Sequence, residues 1–217
     1  MSQAVETTEL RARGVSYAGA GRVVLRGEPR GSPHDRAVLL LHGGGQTRHS
    51  WAGTARRLAA EGWYAVALDL RGHGESDWSP DGAYGVSDFA GDLVAVARQF
   101  EPSPVLVGAS LGGMMALLAQ GESEGGVAAA LVLVDVTPRL EQRGVGRIVD
   151  FMTAKPEGYA SLEEAADAIA AYRRHRSRPD DLSGLAKNLR RGEDGRYRWH
   201  WDPRFVNRRR LERARAN

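Results

Sequence analysis

The chain has 217 residues, 42% of them hydrophobic, with a formal net charge of +3, enough for one domain with a sizeable core or a core carrying a small insertion. No apolar run can span a bilayer, and the opening MSQAVETTEL lacks the basic-then-apolar order of a secretory signal. Cysteine is absent, which excludes disulfides and thiolate chemistry and points to a cytoplasmic setting. From Tyr172 onward 15 Lys/Arg stand against 6 Asp/Glu, but no aromatics are interleaved in RRRLERARAN for stacking on bases. A solvated, arginine-rich surface is therefore expected there, with no nucleic-acid and no membrane partner.

In chain order, ELRARGVSYAG and GRVVLRGEP flank the small segment AGAG and predict a β-hairpin. RAVLLLH is a continuous apolar run, as a strand buried on both faces should be. HSWAGTARRLAAEG predicts a helix capped by Ser50, with Trp51, Ala55, Leu58 and Ala59 on one face and Gly62 at its end. WYAVALDL is a second buried strand. SDFAGDLVAVARQF predicts a helix behind a Ser87 cap, with Phe89, Leu93, Val96, Ala97 and Phe100 on its inner stripe. PVLVGA reads as a strand, LGGMMALLAQ as a helix apolar nearly all round, and AALVLVDV as a strand. Such alternation implies a doubly wound, mostly parallel sheet.

After Pro138 the pattern changes. SLEEAADAIAAYRRH opens with a capping box, Ser161 and Glu164, and predicts an amphipathic helix. EQRGVGRIVDFM and DLSGLAKNLRRG predict two weaker helices, and no buried strand is expected after Val136. The division expected is a core over 1–138, a helical lid insertion over 139–202 and a basic tail over 203–217.

Gly108-Ala109-Ser110-Leu111-Gly112 fits G-x-S-x-G between a strand and a helix. A sharp turn there holds the Ser110 hydroxyl clear of the sheet, and small neighbours let the backbone turn tightly. The Leu111 amide, at the helix start, lacks an internal partner and can donate to an oxyanion. The pentapeptide alone fits a glycine-rich turn with a serine N-cap equally well. His42-Gly43-Gly44-Gly45, ending another buried strand, tips the balance, because the Gly44 amide is a second candidate oxyanion donor. The six histidines show no paired metal spacing such as H-E-x-x-H, so neither a metal nor a cofactor is expected.

The stretches LLLHGGGQTRHSW, LDLRGHGESD, LVGASLGGMMAL and LVLVDVTPR resemble consecutive signatures of the α/β-hydrolase fold family, from about Val38 to Arg139. The resemblance implies Ser110 as nucleophile and the Gly44 and Leu111 amides as the oxyanion hole. It implies that His42, Gly43 and Asp69-Leu70-Arg71-Gly72 shape the floor of the site. A serine at the elbow looks like serine esterases, thioesterases and the cofactor-free haloperoxidases, rather than the relatives with aspartate there. The implied activity is hydrolysis of a small ester or related carbonyl compound through an acyl-enzyme.

The family order is Ser, then acid, then His. This chain reaches Asn217 with no counterpart of the last two strands, the usual acid or the usual base. A shortened member is therefore expected, with ALVLVDV as an uncovered sheet edge open to self-association or a completing chain. Asp135, after that strand, is the candidate acid, or else a structural aspartate binding nearby backbone or Arg139. Among the histidines His34 and His49 lie in loops and His175 and His200 in the lid region; none stands out as the base. Trp51, Met114 and Met115 are either apolar neighbours of the site or plain core. A non-catalytic binding module on the same fold is the alternative reading.

Overall fold

The computed structural model describes residues 14–136, 142–173 and 177–206. β1 (Val15–Ala18) and β2 (Val24–Arg30) form the expected antiparallel hairpin, and β2 continues antiparallel onto β4 (Trp63–Leu68). From there the sheet is parallel, through β3 (Arg36–Leu41), β5 (Val105–Ala109) and β6 (Ala130–Val134), in the order β1-β2-β4-β3-β5-β6. It is a mostly parallel sheet flanked by helices, the α/β-hydrolase type of architecture.

The apolar runs fill both faces because alternate side chains point opposite ways. Leu39, Leu41, Val66, Leu68 and Leu106 meet α2 (Val86–Ala97) and α3 (Leu111–Glu122) on one side. Val38, Leu40, Ala65 and Ala67 meet α1 (Ala52–Ala60) on the other. Trp51 packs in this second core, and Met114 and Met115 in the first, so all three are core residues.

Two helix starts differ from expectation. Ser50 lies in a 3₁₀ turn, Arg48–Trp51, and its hydroxyl donates to the Thr47 carbonyl, so it caps nothing. α2 is capped at Gly85, whose amide donates to Asp88 at 2.6 Å, which leaves Ser87 inside the first turn. Asp88 is well placed for this because carboxylates are favourable in a first turn.

The lid comprises α4 (Gln142–Thr153), α5 (Leu162–Tyr172) and the single turn α6 (Ser183–Ala186). Ser161 accepts from the Glu164 amide at 3.1 Å, which is one half of the expected capping box; the Glu164 carboxylate accepts from the Ala160 amide instead of the Ser161 amide. Where DLSGLAKNLRRG suggests a full helix, the chain instead enters a hairpin, β7 (Leu189–Arg191) with β8 (Tyr197–Trp199). Three-residue strands are too short to show alternation in sequence, and tertiary contact decides them. Tyr159, Ala165 and Leu189 form a small core of their own, with Trp199 against it. No described helix is long and apolar enough to cross a membrane.

Residues 200–206 do not trail from the lid. Gly74 donates to the His200 carbonyl at 2.8 Å, Asp202 donates to Gly72 at 2.7 Å, and Trp201 bridges His73. Phe205 enters the main core, 4.7 Å edge-on to His73 and 5.8 Å from Phe89.

Candidate functional site

Strand register sets the site. Leu41 is opposite both Leu68 and Gly108, and Ala109 is opposite Val134. The residues that follow these ends, His42, Asp69, Ser110 and Asp135, therefore emerge along one edge, where ligands bind in open parallel sheets.

At the end of β5, Ser110 has φ 47° and ψ −113°. A non-glycine residue held there costs about 1–3 kcal/mol, and strained backbone of this kind clusters at functional turns. Its amide donates to Val134 at 3.0 Å and its carbonyl accepts from Met114 at 2.9 Å, so the backbone is fixed while the side chain stays exposed. The glycines are sterically required. A Cβ on Gly108 would lie 2.5 Å from Gly112 carbonyl atoms, and one on Gly112 would lie 2.5 Å from the Leu41 oxygen.

The two glycine motifs meet. The Cβ position of Gly43 is 3.6 Å from Ser110 Cβ, and that of Gly44 is 3.7 Å from Leu111 Cδ2 and 3.3 Å from Phe205 Cζ. Gly43 donates to Gln46 at 3.2 Å. The amides of Gly44 and Leu111 make no hydrogen bond among the described residues. Two unpartnered donors therefore lie next to an exposed hydroxyl at a helix start, where the dipole favours negative charge. Such an arrangement can stabilise an oxyanion.

Beneath this loop, both motif histidines have committed ring nitrogens. His42 Nε2 accepts from the Leu70 amide at 3.0 Å, which leaves the proton on Nδ1 to donate to the Gly43 carbonyl at 2.8 Å. His73 Nε2 accepts from the Gly45 amide at 3.1 Å, and Nδ1 donates to the Arg71 carbonyl at 2.9 Å. Complete burial lowers the pKa of His42 to about 4 and that of His73 to about 3. Both are neutral struts that tie the β3 loop to the β4 loop.

The β4 loop is equally fixed. Asp69 accepts from the Arg48 amide at 2.7 Å and the Glu75 amide at 3.0 Å, and also pairs with the Arg48 guanidinium. Arg71 grips Asp92 of α2 through two bonds, 2.6 and 2.7 Å, both side chains being buried.

Asp135 closes β6 with φ 55°, exposed, one residue past the carbonyl that anchors Ser110. It makes no hydrogen bond among the described residues, and Arg139 lies outside them. No described histidine bonds Ser110. His34 is exposed, and His49 Nδ1 is 3.8 Å from Glu28. His200 is held by backbone bonds to Gly74 and Asn188, and burial lowers its pKa. His175 lies outside the described residues. Among the described residues no group of His, Asp or Glu is placed to hold a metal.

Asp202, Tyr84 and Phe205 belong to this floor and were not singled out in sequence. Asp202 accepts from the Tyr84 hydroxyl at 2.5 Å and from Arg204. Burial opposes its ionisation, but the bonds from Arg204 and Tyr84 outweigh it and hold the carboxyl below its ordinary range. The Asp-Pro pair at 202–203 is a local helix-start signal, and a 3₁₀ turn does begin there. Nothing local points to its partner.

An exposed-hydroxyl elbow beside free amides, on a mostly parallel sheet under a lid, defines a hydrolase-type fold. Residues 38–216 match the model of the Alpha/beta hydrolase family, and the chain belongs to that family. Esterase Rv0045c of Mycobacterium tuberculosis is 34% identical over 175 residues, 76% of this chain and 56% of its own length. Its solved structure gives a TM-score of 0.67 at 30% identity, over 90% of this chain and 66% of that one. The probable protein phosphatase methylesterase 1 of Caenorhabditis elegans is 28% identical over 169 residues, 75% of this chain and 46% of its own. A solved alpha/beta hydrolase from Novosphingobium aromaticivorans gives a TM-score of 0.74 at 25% identity, over 89% of this chain and 69% of that one. The chain thus spans about half the length of the curated relatives it matches.

Proposed function

We propose that this chain carries the nucleophile and oxyanion hole of a serine hydrolase acting on a small ester or related carbonyl compound. Ser110 Oγ attacks the carbonyl carbon and its proton passes to a base. The oxyanion rests on the Gly44 and Leu111 amides, and the alcohol leaves. Water then releases the acid from the acyl-enzyme. The observation that carries this reading is the strained Ser110 backbone beside two unpartnered amides. The esterase names of the relatives support it.

Asp135 is the acid in this reading. The base is assigned to a group brought to the β6 edge, by self-association or by a completing chain. Two features support that place. His42 and His73 have no free nitrogen. Val132, Leu133 and Val134 of β6 are 47%, 41% and 42% exposed, as an edge awaiting a partner strand would be.

The decisive test is intact mass after treatment with a fluorophosphonate, for wild type and Ser110→Ala. A single adduct lost in Ser110→Ala supports an activated serine. No adduct on folded protein favours the second reading, a binding module that retains the fold without chemistry. The committed nitrogens of His42 and His73 are the observation on that side.

A further inference from the structure

The lid carries an open cavity of about 1340 Å³ lined mainly from α4 and α5, to which neither the nucleophile nor the oxyanion donors contribute. One wall is aromatic: Phe151 and Tyr172 stack with ring centroids 4.4 Å apart. The charged lining is lopsided. Arg147, Lys155 and Arg173 face Asp150 alone among the described residues. Lys155 is paired to Glu164 and lies 5.4 Å over the Tyr159 ring. The guanidinium groups of Arg147 and Arg173, by contrast, have no ion-pair or hydrogen-bond partner among the described residues.

Two uncommitted guanidinium groups beside a stacked aromatic wall match one kind of ligand. A guanidinium presents a planar fork suited to a carboxylate, and the rings take an aryl or alkyl body. The cavity also borders the β3 loop. Gln46 lines it, and the Gln46 side-chain oxygen accepts from the Gly43 amide next to Ser110.

We propose that the lid cavity binds organic carboxylates with an aryl or alkyl body, so that the substrates are esters bearing a second, free carboxylate. The fate of the bound molecule rests on the serine-hydrolase reading; its binding does not.

The test is isothermal titration at low ionic strength with 4-phenylbutyrate and the neutral 4-phenylbutyramide. Wild type should bind the carboxylate about tenfold more tightly than the amide, the preference expected of one charge-assisted contact. The double variant Arg147→Glu/Arg173→Glu should lose that preference. A control reversal on α1, Arg56→Glu/Arg57→Glu, should keep it, which separates the cavity from overall charge. Both arginine pairs are exposed, and circular dichroism checks folding. Equal affinity for the two probes, no binding of either, a preference surviving the cavity reversal, or one lost in the control would each overturn the proposal. Ser110→Ala should bind as wild type does. A wild type that binds the carboxylate but takes no fluorophosphonate would leave the cavity standing and overturn the catalytic reading alone.

Discussion

The loops after β3 and β4 and the loops after β5 and β6 share one sheet edge and, the open Gly44 amide apart, are bonded in opposite ways. In the first pair, the ring nitrogens of His42 and His73 and the carboxylate of Asp69 are committed to backbone groups. In the second pair, the Leu111 amide and the Asp135 carboxylate have no partner among the described residues, and Ser110 sits in strained backbone. Open donors keep their aim only when their neighbours cannot shift. The saturated half is therefore what allows the unsaturated half to remain so.

The contrast breaks most severely at the buried Arg71–Asp92 pair. Asp92→Ala leaves the Arg71 guanidinium buried without its carboxylate, and urea unfolding should show a loss of about 3–5 kcal/mol. A loss under 1 kcal/mol, on the order of a surface pair, would mean the clamp is solvated. Acid attacks the same half more gradually. Well above the ordinary histidine pKa of about 6.5, neither folded nor unfolded chain protonates His42 or His73. Below it the unfolded chain takes up protons that the folded one refuses until about pH 4 and 3. Stability therefore falls as pH drops through 6.5 towards 4, and thermal midpoints at pH 7.5, 6.5 and 5.5 should decline slightly over the first step and most over the last. A midpoint unchanged at pH 5.5 would contradict the buried neutral struts.

A sharper test joins the two halves. Gly112→Ala pushes a Cβ against the Leu41 carbonyl; it should cost about 1–3 kcal/mol and lower fluorophosphonate labelling in protein that remains folded. Full labelling with unchanged stability would show that the elbow does not depend on β3. The smallest effect is expected at the open edge. Val132→Lys, at a position 47% exposed, should alter stability by no more than about 0.5 kcal/mol, while light scattering reports less self-association. Unchanged association would locate any self-contact away from β6.

The core sheet and the elbow were legible because their signals are local. Apolar runs mark β3 to β6, and Gly108, Gly112 and Ser110 lie within five residues of one another. The Ser161 cap was legible for the same reason. What escaped was long-range. The pairing of Gly72 with Asp202, and of Gly74 with His200, links segments with no shared pattern. The β7–β8 hairpin is too short to declare itself. Lid and floor thus looked separable in sequence, whereas Phe205 packs against Phe89 of the core.

The docking of residues 200–206 also bears on how the chain is made. The Tyr84 hydroxyl finds its acceptor, Asp202, 118 residues later. During synthesis, which adds about 5–20 residues per second, β1 to β6 leave the ribosome seconds before that partner exists. Through that interval the floor exposes His73, Phe89 and Tyr84 where Phe205 will later sit. Until the seven residues at 200–206 arrive, the nascent sheet therefore lacks the cover that Phe205 gives His73, Tyr84 and Phe89.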